Sequence, residues 1–232
     1  MPGVALALIV VLTLLLGGCD AVTSTAAKYN PFLSFEARCE RLPPSRIDVR
    51  QGAVRAVTND ELPYRELTRL GADNPATHRT LGLTRTEFRQ EAQIEIKGLH
   101  DSGGGRSCAR PQIVVELTMA PVTVYVASEL ANNACGHSAV LEHEMKHVAA
   151  FREHLADSTR DLASELPQLF GQQIILARDG NAAEAQVRQT LQTYLREFVA
   201  RNSIELKQRQ VAVDSGEEYA RVNGACGGIR VE

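Results

Sequence analysis

Two histidines four positions apart enclose a glutamate in the segment His143-Glu144-Met145-Lys146-His147. Residues four apart on a helix project to the same side, so both imidazoles can reach one cation at the usual zinc-to-nitrogen distance. The segment lies within an apolar pattern of helical period, which is the context that this motif requires. The sequence therefore predicts one zinc ion per chain, with His143 and His147 as two of its ligands.

Glu144 lies one step round the same helix, beside the position that the two histidines leave open. There it could take a proton from a water molecule activated by the metal and later deliver it to a leaving amine. This chemistry hydrolyses peptide bonds, and it makes Glu144 the predicted general base. The alternative is that the motif occurs by chance, since average residue usage gives on the order of one such match per hundred chains of this length.

A catalytic zinc usually has a third protein ligand, and the sequence leaves this ligand open. His154 returns to the face of His143 but about 16 Å farther along the axis, at about 1.5 Å per residue. We therefore expect His154 to be a surface or second-site histidine. Glu205 is a candidate because it falls on the core-facing side of a second helix. Its alternative role is an ion pair with Arg201 or Arg209.

A short acidic stretch follows the second helix and contains Asp214, Glu217, Glu218 and Tyr219. It could fold over the metal and supply the third ligand through Asp214 or Glu217. The hydroxyl of Tyr219 could then stabilise an oxyanion. The alternative is a solvated acidic turn.

The N-terminus has the features of a bacterial lipoprotein signal peptide. Residues 4–16 are apolar except for Thr13, and they are followed by Gly17-Gly18-Cys19. The run is too short to span a bilayer comfortably. A branched residue, two small residues and a cysteine resemble the site at which bacterial lipoproteins are cleaved and diacylated. No Lys or Arg precedes the run, and a buried N-terminal helix is the alternative.

This pattern divides the chain into a signal peptide at 1–18, a lipidated tether at 19–45 and one folded domain at 46–232. The lipid on Cys19 would place the domain on a membrane of the cell envelope, facing the periplasm or the exterior. The formal net charge of −3, with mixed signs, provides no basic stripe. Nucleic acid is therefore excluded as an expected partner.

Four cysteines remain after Cys19, an even number in a chain predicted to be exported. Two disulfides are expected, and four cysteines allow three pairings. We favour Cys39 with Cys108 and Cys135 with Cys226, because the second bond would fix the C-terminal tail beside the start of the active helix. A cysteine metal site is the alternative, although no Cys-x-x-Cys pair occurs.

The apolar pattern changes from strand-like in the first half to helical in the second. Strands are expected at 47–57, 93–97, 113–119 and 122–127, and helices at about 138–170 and 182–210. Pro167 should end or kink the first helix. The sequence thus predicts an α+β fold with a small antiparallel sheet followed by a long antiparallel helix hairpin, zincin-like. Residues 122–127 could form an edge strand along which an extended peptide aligns.

The order of these features resembles a family of uncharacterised secreted bacterial proteins described as zinc-dependent proteases. The resemblance spans Ile47 to Tyr219. It includes Asn59-Asp60-Glu61-Leu62, residues 84–96, Cys108 ahead of two strands, the histidine motif, and an Asp near the end of the second helix. It implies a zincin-like site with both histidines as ligands and Glu144 as the base. Residues 214–219 depart from the family pattern, which leaves the third ligand open.

Together these features predict a membrane-anchored zinc-dependent peptidase with a peptide or protein as substrate. The alternative from another class is a non-catalytic envelope lipoprotein that binds a partner through its helical hairpin. A third possibility is metal-dependent hydrolysis of another envelope bond, for example in peptidoglycan peptides.

Overall fold

The computed structural model describes residues 33–71 and 79–229 of the 232-residue chain. The predicted signal peptide, Cys19 and the first part of the predicted tether lie outside the described residues. Within the described ranges, no helix is both long enough and apolar enough to cross a membrane.

Strands fill most of the first half of the chain and helices most of the second. The strands are β1 (Arg46–Gln51), β2 (Ala56–Asn59), β3 (Gly82–Arg85), β4 (Phe88–Asp101), β5 (Arg106–Met119), β6 (Val122–Val126) and β7 (Ile175–Ala177). The helices are α1 (Phe35–Glu40), α2 (Tyr64–Gly71), α3 (Ala134–Phe170), α4 (Gly180–Val213) and α5 (Gly216–Gly224). The predicted α+β class is confirmed at this level.

The strands form two sheets, so the prediction of a single antiparallel sheet is wrong. The first sheet has the order β1, β5, β4, with β7 also paired to β5, and the second has the order β2, β6, β3. Each sheet contains one parallel pair, β1 with β5 and β2 with β6. Parallel partners are joined by long crossovers, which local alternation does not reveal. The predicted strand at 47–57 is divided between the two sheets.

Helices α3 and α4 form the predicted antiparallel hairpin. His147 near the start of α3 contacts Gln210 near the end of α4, and Ser158, farther along α3, contacts Asn202, earlier on α4. Their apolar faces pack on the first sheet, and this main core includes Leu155, Leu162, Val187, Leu191 and Val115. Burying a side chain of this size contributes about 1.5–3 kcal/mol. The hairpin therefore brings the C-terminal end of α4 beside the N-terminal part of α3.

Two details of α3 differ from the sequence expectations. The helix continues for three residues beyond Pro167, which lies in its last turn. His154 is 1% exposed, so the expectation of a surface histidine is wrong. The ring lies between the hairpin helices, within 3.4 Å of the Ser158 hydroxyl. Its distance from the motif along the helix still keeps it away from His143.

Both favoured disulfides are present, Cys39 with Cys108 and Cys135 with Cys226. The first bond ties α1 to β5, and Phe35 and Cys39 are both buried. The folded body therefore includes part of residues 33–45, which the sequence assigned to the tether. The boundary predicted at residue 46 lies too far along the chain.

Candidate metal centre

The histidine motif lies near the start of α3, on the side that faces the body of the protein. The side chain of Asn133 caps this helix by accepting a hydrogen bond from the Gly136 N–H at 2.9 Å. His143, Glu144 and His147 are only 7%, 4% and 6% exposed. The two Nε2 atoms lie 3.3 Å apart, with the rings edge to face. The four-residue spacing thus brings both imidazoles to one point.

Asp214 completes a triangle of possible metal ligands. It is the C-cap of α4, and its Oδ1 lies 3.3 Å from the Nε2 of His143 and 3.2 Å from that of His147. Ligand atoms around a tetrahedral zinc, each about 2.0–2.1 Å from the metal, lie about 3.3 Å apart. The three atoms therefore match one face of such a tetrahedron, and this His, His, Asp group could hold a metal ion.

Electrostatics favour a positive charge at the centre of this triangle. Burial opposes the ionised form of Asp214, but hydrogen bonds from His143 and His147 hold the pKa of its carboxyl well below the usual range. Burial alone would lower the pKa of His147, yet Asp214 and Glu144 raise it. The protein thus stabilises a proton where a cation would bind.

Glu144 is held against strand β3. The Thr84 hydroxyl donates a hydrogen bond of 2.8 Å to Glu144 Oε2, and burial raises the pKa of the Glu144 carboxyl. A Cβ atom on Gly82 would lie 2.3 Å from Glu144 Oε1 and 2.7 Å from a methyl group of Val140. Only glycine at position 82 leaves room for the carboxylate between strand and helix.

We therefore predict that Gly82→Ala displaces Glu144 without removing the metal ligands. Overpacking of this kind costs about 1–3 kcal/mol of stability. If Glu144 is the general base that the sequence predicts, its displacement should also lower the kcat of the predicted hydrolysis by at least about tenfold, because the base loses its alignment. Zinc content, thermal melting and kcat would be measured together. Gly180→Ala is the matched control, since no atom lies within 4 Å of its added Cβ. Unchanged kcat in Gly82→Ala would contradict this role.

Each histidine also has a partner on its other ring nitrogen. The Nδ1–H of His147 donates to Gln210 Oε1 at 2.5 Å, and the Nδ1–H of His143 donates to Glu218 Oε1 at 3.3 Å. Glu218 also accepts a hydrogen bond of 2.8 Å from Lys146. With a metal ion in the triangle, these bonds would keep the protons on Nδ1, so that the Nε2 lone pairs could bind the ion in place of the protons shared with Asp214.

Gln210→Leu should weaken zinc binding by about 10- to 100-fold, the range typical for loss of such an outer partner. The amide nitrogen of Gln210 has no hydrogen-bond partner among the described residues. Leucine, which has a similar size, should therefore leave the fold intact. Gln210→Glu keeps an oxygen that can accept the hydrogen bond from His147, so its zinc affinity should be close to that of wild type. Competition with a chromophoric chelator measures all three proteins. Equal affinity in wild type and Gln210→Leu would rule out a positioning role.

A cavity of about 340 Å³ opens directly onto the triangle. The segment leading into β3 forms one wall, α3 lies beneath, and α5 forms another wall with Tyr219 and Val222. The ring centre of Tyr219 lies 5.9 Å from that of His143. Burial, with Asp214 nearby, raises the pKa of the Tyr219 hydroxyl, so it stays protonated at neutral pH. A cavity of this volume is large enough for a small ligand to reach the triangle.

Strand β3, and not residues 122–127, is the sheet edge beside the cavity. The prediction of an edge strand at 122–127 is wrong, because β6 pairs on both sides. The Ala127 N–H donates to the Leu81 carbonyl at 2.8 Å, and Gly82 pairs with Val126. Antiparallel alternation then directs the main-chain groups of Gly82 and Thr84 away from β6. Among the described residues, no strand covers this edge.

The structure separates the candidates for the third ligand. Asp214 joins the two histidines, whereas Glu217 is exposed on α5. Glu205 is also exposed and forms an ion pair with Arg209 at 2.7 Å, so the alternative role is confirmed. The proposal of Glu205 as an inward ligand is wrong, because the neighbouring Leu206 occupies the buried position.

Three residues of this site were missed by the sequence analysis: Gly82, Thr84 and Gln210. Gln210 offered a signal, because it extends the buried stripe of α4 one turn beyond Leu206 and a polar residue in that position needs a partner. Glu218 was named in the acidic stretch, but its hydrogen bond with His143 was not predicted. Gly82 and Thr84 carried no signal, since their proximity to Glu144 arises only when β3 joins the second sheet.

Comparisons of the chain with protein-family models, with curated proteins and with solved structures found no match in any of the three.

Proposed function

We propose that this protein is a membrane-anchored, zinc-dependent peptidase. The observation that carries the proposal is the triangle formed by His143, His147 and Asp214, with the Glu144 carboxylate beside it and a cavity above it. Three ligands and one open position are the arrangement of catalytic zinc sites, whereas structural zinc sites have four protein ligands. The anchoring part of the proposal is supported by the lipoprotein-like sequence that ends at Cys19.

In the proposed mechanism, the protein residues bind, orient and move a proton. A zinc ion bound at the triangle would polarise the substrate carbonyl and acidify a water molecule. Glu144 accepts a proton from that water and later transfers it to the leaving nitrogen. Thr84 holds the carboxylate in place through its 2.8 Å hydrogen bond. Tyr219 would donate a hydrogen bond to the carbonyl oxygen as negative charge develops there.

The edge of β3, which no described strand covers, gives the substrate a place to align. An extended peptide can add to a sheet edge through main-chain hydrogen bonds. Gly82 and Thr84 offer such groups beside Glu144, and a peptide bound there would lie in the cavity that opens onto the triangle. This mode of binding selects an extended backbone, which favours unfolded segments or short peptides.

The test is metal content together with cleavage by the full-length protein purified in detergent. We expect one zinc per chain after dialysis, cleavage of an unfolded protein, loss of cleavage with a chelator, and recovery when zinc is added. Peptidoglycan peptides would be assayed in parallel, and cleavage of these alone would change the proposed substrate. Absence of stoichiometric zinc would favour the non-catalytic lipoprotein with a partner-binding hairpin.

A further inference from the structure

Residues 214–226, here called the C-terminal arm, supply a large part of the candidate site. Asp214 contacts both histidines, and Glu218 contacts His143 and Lys146. Tyr219 and Val222 line the cavity. The integrity of the site therefore depends on how the arm is attached to the rest of the protein.

Apart from the contacts that Asp214 and Glu218 make within the site, the noncovalent attachment of the arm is weak. None of the residues of α5 is buried, so the helix is not fixed by a core of its own. The ion pair of Arg221 with Glu142, at 3.5 Å, is exposed on both sides, and such pairs contribute little. Val222 and Ile229 are only partly buried against the small apolar cluster around Val140. Among the described residues, the remaining attachment outside the site is covalent.

The bond between Cys135 and Cys226 ties the end of the arm to the first turn of α3. Both of these cysteines are exposed, whereas Cys39 and Cys108 are 2% and 0% exposed. Exposed disulfides are the ones that reductants reach and open, and buried ones resist. The two disulfides of this protein should therefore differ strongly in their reactivity.

The backbone at the end of the arm is also held in an uncommon conformation. Cys226 has φ of 61°, and Gly227 and Gly228 follow with φ of 77° and 100°. A non-glycine residue in the left-handed region is disfavoured, and it persists only when its surroundings impose it. Opening the disulfide removes the constraint on Cys226 and lets this segment relax away from α3.

From these observations we propose that the Cys135–Cys226 disulfide is a redox-sensitive lock on the metal centre: its reduction frees the C-terminal arm and weakens metal binding. A thiolate of a dithiol reductant attacks one sulfur, the S–S bond breaks, and the other cysteine leaves as a thiolate. The second thiol of the reductant then displaces the first cysteine and closes the reductant's own disulfide. Two electrons and two protons pass to Cys135 and Cys226. The inference rests on the metal centre of the proposed function.

The experiment uses the full-length, zinc-loaded protein and a water-soluble phosphine, because thiol reductants bind zinc themselves. Alkylation with mass spectrometry identifies the reduced cysteines, a chromophoric chelator measures zinc affinity, and hydrogen exchange reports on residues 214–229. At low phosphine we expect two new thiols per chain, at Cys135 and Cys226 only. Zinc affinity should then fall by at least about tenfold, the smallest loss typical when outer partners are removed, and exchange in the arm should increase.

The double variant Cys135→Ser/Cys226→Ser is the matched control, because it opens the arm without creating thiols that could bind zinc. It should show weak zinc binding in the absence of phosphine and no further change when phosphine is added. If wild type loses this disulfide but keeps its zinc affinity and its hydrogen-exchange pattern, the proposal that the disulfide locks the metal centre is wrong. Untreated wild type that contains no zinc would overturn the metal centre itself, and the two failures are thus distinguishable.

Discussion

Replacing Glu144 by glutamine should reduce peptide cleavage by about 10²- to 10⁴-fold, the usual contribution of a general acid–base group, while zinc content stays at the wild-type level. Glutamine has nearly the same shape and can still accept the hydrogen bond from Thr84 through its amide oxygen. It cannot accept a proton from water at neutral pH. Glu144 is not part of the ligand triangle, so the rate of the chemical step should fall while zinc binding stays unchanged.

The measurement is kcat and KM on an unfolded protein substrate, with zinc determined on the same sample. Glu153→Gln is a suitable control, because Glu153 is an exposed carboxylate on the same helix. A fall in kcat with little change in KM would show that a step of the reaction, and not binding, has been lost. Full activity in Glu144→Gln would contradict the mechanism.

Local patterns predicted the parts of this site that lie on one helix. The four-residue spacing of His143 and His147 needs only α3 to form, and the period of the apolar residues indicated that helix correctly. The antiparallel hairpin followed because two long amphipathic helices with a short connection pack side by side. The site residue at the far end of the hairpin, Asp214, could then be named as one of three candidates.

Errors arose where the outcome depends on contacts distant in sequence. The alternating residues at 47–57 do not show that β1 joins β5 while β2 joins β6, since pairing partners lie more than 60 residues away. Glu205 was placed inward by extending an ideal helix of 3.6 residues per turn from Val187. The buried face of α4 shifts as the helix passes from the sheet toward the motif, so that Leu206 and Gln210 point inward.

The choice of Asp214 over the other candidates leads to the second large effect. Asp214→Ala should weaken zinc binding by more than about 100-fold, because a direct ligand contributes more than the 10- to 100-fold of an outer partner. It removes the only carboxylate oxygen within reach of both Nε2 atoms among the described residues. Glu205→Ala and Glu217→Ala are matched controls, since both remove an exposed glutamate near the C-terminal end of the hairpin.

Chelator competition and thermal melting with and without zinc would be applied to all three variants. A ligand that binds only the folded state stabilises it by RT ln(1 + [L]/Kd), so wild type and both glutamate variants should melt higher in zinc. Asp214→Ala should lose this zinc-dependent increase at the same metal concentration. The opposite result would be that Glu217→Ala loses the zinc-dependent rise in melting temperature while Asp214→Ala keeps it. In that case Glu217, and not Asp214, would be the third ligand, and α5 would have to turn to bring it to the metal. The distances between the three ligand atoms of His143, His147 and Asp214 are nearly equal, at 3.3, 3.3 and 3.2 Å, and this regular triangle argues for Asp214.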